Sequence, residues 1–365
     1  MGIIITLMAC YSEDDLTPSG NYSVTKFTFP QGNNAWDMDI KDIHDKYNVY
    51  LIYKEVTFVD LNRQWQSLGT GDQFTGDSLT NEQVPVYVDF LKNHFFAFIS
   101  PGIAQKALPV KIYMLHNFKK VTSDDGTGGT GTGGTGTGGT GTSGTGTGGT
   151  GTGGTGTGGT GTGGTGTGGT GTGGTGTGGT GTGGTGGTTD PNFVPLKIDG
   201  FDYWAISFTN DEMSNMDPYS KKVKRNIFFR TFIENAIRKG SITEPAEFKD
   251  GMDYKTNFNT NKPEDPNYYL TRGFLDIFKE QDLSPRTPFF IGEYTGIGYE
   301  NPDIYPYADF VYYIRAAMWY TPDEFEAYYP TAKYPLIKKR YDIVINHLKN
   351  NYGIDIQQIA KGPQE

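Results

Sequence analysis

The chain reads as an α+β protein, with strands mainly in its N-terminal part and helices mainly in its C-terminal part. Three observations predict this. Runs rich in β-branched and aromatic residues, YNVYLIYKEV (Tyr47 to Val56), LPVKIYMLHNF (Leu108 to Phe118) and FVPLKIDGFDYWAISF (Phe193 to Phe208), all come early. Apolar residues at helical spacing dominate from Ser220 onward. Inside the strand-rich part, between its second and third runs, lies a 64-residue tract, Gly126 to Thr189, that follows neither pattern and holds 37 of the 53 glycines, 26 threonines and Ser143.

In chain order, Tyr47 to Val56 is expected as a strand. Pro85 then opens a helix with Val86, Phe90 and His94 on one stripe, closing near Ser100-Pro101-Gly102. In Leu108 to Phe118 the alternation of Val110, Ile112 and Met114 points to a half-buried strand. Phe193 to Phe208 supplies one or two more. Strands on either side of the tract make a hairpin with a swollen tip, and loop closure grows only logarithmically in cost, so the tract can interrupt one domain. Beyond it, Ser220 to Arg238 carries Val223, Ile227, Thr231 or Phe232, and Ile237 at helical spacing and stops at Gly240. Tyr305 to Tyr320 is a second helix, followed by Pro322. A third runs from Pro335 to Asn351, with Ile337, Tyr341, Val344 and Leu348 on one face and Gly353 as its terminator.

A net charge of −10 over 365 residues argues against a nucleic-acid partner, which needs clustered Lys and Arg. The longest basic run, Lys221-Lys222-Val223-Lys224-Arg225, precedes a helical pattern and reads as a solvated start to it rather than a binding site. No stretch approaches the ~18 apolar residues of a membrane span. The tract repeats Gly-Thr-Gly-Gly-Thr with no side chain larger than Thr, so it cannot offset the entropy of ordering and is expected to be disordered. It lacks the Lys and following helix of a phosphate-binding loop.

One cysteine excludes an internal disulfide. Cys10 ends the apolar run Gly2-Ile3-Ile4-Ile5-Thr6-Leu7-Met8-Ala9, after which the chain turns polar. This resembles a bacterial lipoprotein signal with Leu7-Met8-Ala9-Cys10 as lipobox. The resemblance implies a signal peptide over residues 1–10, cleavage before Cys10, acyl chains on its thiol and new amino group, and a polar tether over 11–34. Two or three acyl chains hold a protein stably at a membrane where one does not. Glu13-Asp14-Asp15 resembles the surface-export signal of Bacteroidota lipoproteins, which places the protein on the outer membrane, exposed at the cell surface. The segment lacks the Lys or Arg that usually opens such signals; the alternative is a short buried strand ending in a chance cysteine.

The strand KYNVYLIY, the helix VPVYVDFLKN, the strand LPVKI and the closing KKRYDIVINHLKNNYGIDI together resemble one family. It is the Bacteroidota family of zinc-binding metallopeptidases, also called substrate import-associated zinc metallohydrolase lipoproteins. The likeness covers most of residues 35–362. It implies that 35–122 and 190–362 form one zincin-like domain, with 126–189 inserted as a loop. Zincins carry H-E-x-x-H on a helix, two imidazoles for the metal and a Glu that deprotonates its water. At the equivalent helix this chain reads Arg230-Thr231-Phe232-Ile233-Glu234. A Thr231 hydroxyl cannot act as the base at neutral pH. An error in register changes nothing, because His44, His94, His116 and His347 are the only histidines and none lies between 117 and 346. The family's acidic E-D-F-A-E appears as Ala308-Asp309-Phe310-Val311-Tyr312, keeping only Asp309.

Zinc is the family's cofactor, yet its ligands are missing here, so no metal and no catalytic residue is assigned. His94 with His116 has no paired spacing, and Glu234, Asp309, Asp323 and Glu324 are the carboxylates that would suit a hard ion. Arg230, one turn before Glu234, either supplies fixed positive charge near Asp309 where zinc would sit or points to solvent. Of the aromatic residues from Tyr299 to Tyr329, Phe310, Tyr313 and Trp319 are expected inward, and Tyr307 and Tyr320 nearer the surface, where they would stack on glycan or peptide fragments. The leading expectation is therefore an inactive, lipid-anchored binding accessory of TonB-dependent nutrient import, with the transporter and its companion lipoprotein as partners. The alternatives are an active zinc metallohydrolase with atypical ligands and a purely structural component of the transporter complex.

Overall fold

The computed structural model describes residues 25–63, 72–121, 190–200, 202–278, 285–295 and 307–363. Cys10, the signal, most of the tether and the Gly/Thr tract lie outside these residues. What is described is a mixed α+β fold, with its main sheet in the first part and its longest helices in the second. Strands β1 (Tyr50–Ile52), β2 (Phe74–Asp77), β3 (Lys111–Lys120), β4 (Leu196–Lys197) and β5 (Tyr203–Ser207) form the sheet. β3 is central, parallel to β1 on one side and β5 on the other, so Ile112 sits between Leu51 and Trp204. β2 runs antiparallel to the far half of β3, and β4 antiparallel to β5.

β3 is not half-buried. Ile112 and Met114 join the larger core, and Tyr113 and Leu115 a second core on the opposite face, because both faces of the sheet are covered. Val110 precedes the strand and is 40% exposed. The hairpin expected across the tract is reduced to a stem: Lys119 bridges Phe193 antiparallel, and Lys120 N–H donates to Asn192 O at 2.9 Å. β5 itself lies parallel to β3, so residues from both sides of the tract share one sheet.

The helices are α1 (Ala35–Tyr47), α2 (Phe58–Leu61), α3 (Val84–His94), α4 (Pro101–Ala107), α5 (Asn210–Asn215), α6 (Pro218–Arg238), α7 (Gly292–Thr295), α8 (Ala308–Trp319), α9 (Pro322–Tyr328), α10 (Pro335–Tyr352) and α11 (Ile356–Lys361). A small hairpin, β6 (Ile277–Phe278) with β7 (Pro285–Arg286), completes the fold. α1 takes the first residue of the expected early strand. An Asn34–Asp37 capping box starts it, and Asn48 in the left-handed region stops it, which delays β1 to Tyr50. α3 ends earlier than expected, at His94; a 3-10 turn over Phe96–Phe98 and the Pro-initiated α4 follow.

α6 has the expected end, with Gly240 at a φ of 69° two residues beyond it, but a different buried face. Phe228, Phe229, Phe232, Ile233, Ala236 and Ile237 are buried, while Ile227 is only half-buried. Phe95 meets the rings of Phe228, Phe229 and Phe232, so α6 is pinned beneath the segment after α3. α8 packs against α6, α7, α10 and α11 and buries every residue but Trp319, which explains a helix apolar all round. α10 buries Ile337, Tyr341, Val344 and Leu348 as expected and ends at Gly353 with a φ of 67°. The basic run does not solvate the start of a helix. It lies within α6, and Lys224 and Arg225 are buried. Among the described residues no helix is long and apolar enough to cross a membrane.

Candidate functional site

α8 packs on α6 and on α10, and this arrangement brings the carboxylates of Glu234 and Asp309 against two guanidinium groups. Glu234, half-buried on α6, is met by Arg315 of α8, whose Nε and Nη2 lie 2.7 and 2.6 Å from Glu234 Oε1. Arg315 Nη1 also donates to Phe278 O at 3.3 Å. Asp309, at the start of α8 and 1% exposed, pairs with Arg340 of α10 and accepts a 2.7 Å bond from the Tyr254 hydroxyl. Every nitrogen of Arg340 has an acceptor: beside Asp309, Nε donates to Phe248 O at 3.1 Å, Nη1 to Gly273 O at 2.7 Å and Nη2 to the Tyr254 hydroxyl at 2.9 Å. The Phe248 ring lies 3.9 Å from its guanidinium carbon. Burial alone would lower the Arg340 pKa; Asp309, with Tyr313 and Tyr254, more than offsets that and raises it above the ordinary arginine value.

Arg230 is buried, so the solvent-facing alternative does not hold. Nor is it the cation that answers Glu234 and Asp309 in the bonds just described, which belong to Arg315 and Arg340. Thr231 is half-buried on the same helix. Two buried carboxylate oxygens, Asp309 Oδ1 and Glu244 Oε2, have no hydrogen-bond donor among the described residues. Glu244 Oε1 is 2.8 Å from Lys249 Nζ, and burial raises the Glu244 pKa against the opposing pull of that lysine.

The residues present do not fit zinc. Its preferred donors are imidazole and thiolate, and the histidines sit on four separate elements with partners of their own. His44 on α1 contacts Asp45, and His94 on α3 contacts Arg225. His116 on β3 contacts Asn210, and His347 on α10 contacts Thr243 O. Among the described residues no three His, Cys, Asp or Glu side chains group so as to hold a metal ion. The four carboxylates considered for a hard ion are not brought together either: Glu324 closes the capping box of α9 with Thr321, while Glu234 and Asp309 face arginines.

Among the aromatic residues, Phe310 and Tyr313 are buried and Trp319 half-buried. Tyr307 is half-buried against the core. Tyr320, expected nearer the surface, is 5% exposed and packed between Phe278 and Tyr328, so its faces are covered. The residues missed by sequence reasoning are Arg315, Arg340 and Tyr254. Two carried a signal: Arg315 lies inside the otherwise apolar YYIRAAMW, and Arg340 falls three residues after Ile337 and four before Val344, on the buried stripe of α10. A charge in such a place has to be paired.

The chain matches no family model and no curated protein sequence. Among solved structures it is similar to a "putative zinc-binding metallo-peptidase" from Bacteroides caccae. That match covers 90% of this chain and 92% of the other, at 10% sequence identity and a TM-score of 0.39.

Proposed function

We propose that this protein is a lipid-anchored surface protein with a metallopeptidase-like domain that binds without hydrolysing, serving TonB-dependent nutrient import beside a transporter and its companion lipoprotein. Cys10 carries the anchor at the outer membrane, and the ligands are glycan or peptide fragments. Support for the scaffold is the sequence resemblance over residues 35–362. The observation that carries the loss of catalysis is the Glu234–Arg315 pair. A general base has to reach a water with a free lone pair and a pKa near the working pH. Glu234, the sole carboxylate on the motif helix, instead accepts a hydrogen bond on Oε1 from Arg315 Nε, with Nη2 of the same buried guanidinium 2.6 Å from that oxygen as its ion pair, and Thr231 stands where the base belongs.

Metal analysis of the purified chain, paired with peptidase assays in added zinc, tests the reading. It expects substoichiometric zinc and no chelator-sensitive turnover; stoichiometric zinc with chelator-sensitive cleavage overturns it in favour of an active hydrolase. Glycan and peptide arrays separate a binder from a purely structural component. Fractionation of cells expressing Cys10→Ser tests the anchor, with loss from the membrane fraction expected.

A further inference from the structure

The start of α6 and the end of α11 border a half-open cavity of about 450 Å³ with several basic residues in its lining. Lys221, Lys222, Arg225 and Lys361 line it, together with His94, and no carboxylate is among its lining residues. Arg225 is the unusual member. It is 3% exposed, yet among the described residues it meets no acidic side chain. Its Nε donates to Ile359 O at 2.7 Å and its Nη1 to His94 Nδ1 at 3.1 Å. A guanidinium has five N–H donors, so three have no acceptor among the described residues. Burial, with nothing to offset it, lowers the Arg225 pKa to about 10.

The surroundings hold this group in place beside the cavity. Because arginine only donates, His94 Nδ1 is the acceptor and the ring is neutral with its proton on Nε2. Gly362, at a φ of 81°, lies over the guanidinium, and a Cβ there would come within 2.9 Å of both Nη atoms. Only glycine allows that approach. Asp217 already caps the first N–H groups of α6, through Tyr219 and Ser220, so recognition in the cavity falls to side chains rather than to the helix terminus. Lys222 Nζ stands 4.9 Å over the Trp319 ring and 4.0 Å from Glu324 Oε2, a separation too long to count as a hydrogen bond. Lys361 is exposed, and no ion pair of it is seen among the described residues.

We propose that this cavity binds the phosphate group of a small phosphorylated molecule, held by the free edge of Arg225 with Lys222 and Lys361. A guanidinium edge matches two oxygens of a tetrahedral oxyanion. Several converging cations suit a phosphate, which carries about −1.5 to −2 at pH 7, better than a singly charged carboxylate. The volume exceeds what a bare ion fills and falls in the range of small-molecule sites, ~300 to 1,000 Å³. Tyr219, 64% exposed at the lining, offers a ring to the organic part. Arg225 lies nine residues before Glu234, about 13 Å along the helix axis, so this site is independent of the motif region and of its proposed loss of catalysis.

Isothermal titration of the full chain at constant ionic strength tests this with three probes: inorganic phosphate, glucose 6-phosphate and acetate. Saturable binding of both phosphates and none of acetate is expected, with glucose 6-phosphate tighter if the organic part is recognised and equal if free phosphate is the natural ligand. Arg225→Met should abolish binding, and Arg225→Lys should weaken it at least ~10-fold, since a charge-assisted bidentate contact is lost. Should Arg225→Met fail to fold, Lys222→Gln with Lys361→Gln keeps the test open, because it removes two charges outside the core and should weaken phosphate binding and flatten its salt dependence. No saturable phosphate binding, acetate binding equal to phosphate, or unchanged affinity in both the Arg225 and the double-lysine variants overturns the proposal.

Discussion

Arg340 and Arg225 are buried alike, at 2% and 3% exposure, and their surroundings treat them in opposite ways. Around Arg340, Asp309, Tyr254 and two carbonyls answer the charge, and the pKa rises. Around Arg225 there is a carbonyl and a neutral imidazole, and the pKa falls to about 10. A buried guanidinium with a carboxylate partner and an acceptor on every nitrogen ties α10 to α8 and to the segments around Phe248 and Gly273. One left with unused donors beside a cavity is waiting for an anion. The same residue type thus marks scaffold in one place and a candidate ligand site in the other, and burial alone does not tell them apart.

The sharpest way to break this comparison is to remove Arg340. Arg340→Met leaves Asp309 charged in a site 1% exposed and should cost ~3–5 kcal/mol, read as a lower midpoint in urea unfolding with an unchanged slope. Adding Asp309→Leu should recover much of that loss, because a pair replaced by apolar groups of similar size is often neutral. No recovery in the double variant would show that the tyrosine and carbonyl contacts, not the charge pair, hold the helices. Glu234→Gln is a milder cut. Its side chain is 23% exposed and Arg315 keeps Phe278 O, so a loss of ~1–2 kcal/mol is expected, with no gain of peptidase activity.

Much of this architecture was legible beforehand, and the gaps have physical causes. α10 was readable because Ile337, Tyr341, Val344 and Leu348 mark one clean face and Gly353 ends it. β3 was readable as a strand but not as one buried on both sides, since sheet coverage comes from helices distant in sequence. α1 was missed because its capping box, Asn34 with Asp37, precedes a sequence with few apolar residues. In the motif region, the absence of histidine was plain from composition. The partnership was not: Arg230 and Arg238 each lie four residues from Glu234 along the chain, whereas Arg315, 81 residues away, donates to it. Lys224 and Arg225 were read as solvated because a basic run usually is. α6 buries them through contacts with α4, α8 and α11 that no local pattern encodes.

Arg225→Met tests the other half of the comparison. Removing an uncompensated buried charge favours the folded state, while stranding Ile359 O and His94 Nδ1 disfavours it by ~1–3 kcal/mol. The two oppose, so without phosphate the variant should lie within ~1 kcal/mol of the parent by urea unfolding, far from the Arg340→Met result. A loss as large as that of Arg340→Met would mean that Arg225 is a structural member of the core and that the contrast between the two sites is false.

The smallest effect concerns Glu244, whose carboxyl group feels the charges of Asp309 and Arg340 at the edge of the balanced region. Burial raises its pKa above 4.5, against the opposing pull of Lys249, so the folded state favours the protonated form. The stabilisation this gives is fully present below the unfolded value and is lost as pH rises through the folded one. Glu244→Gln mimics the protonated state at every pH. The variant should therefore gain on the parent between pH 4 and pH 7, by a few tenths of a kcal/mol once solvent screening and the lost Lys249 contact are allowed for. Paired urea titrations at the two pH values measure this directly. A variant that instead loses ground as pH rises would place Lys249, not burial, in control of Glu244, and would extend the charge balance seen at Arg340 outward by one more pair.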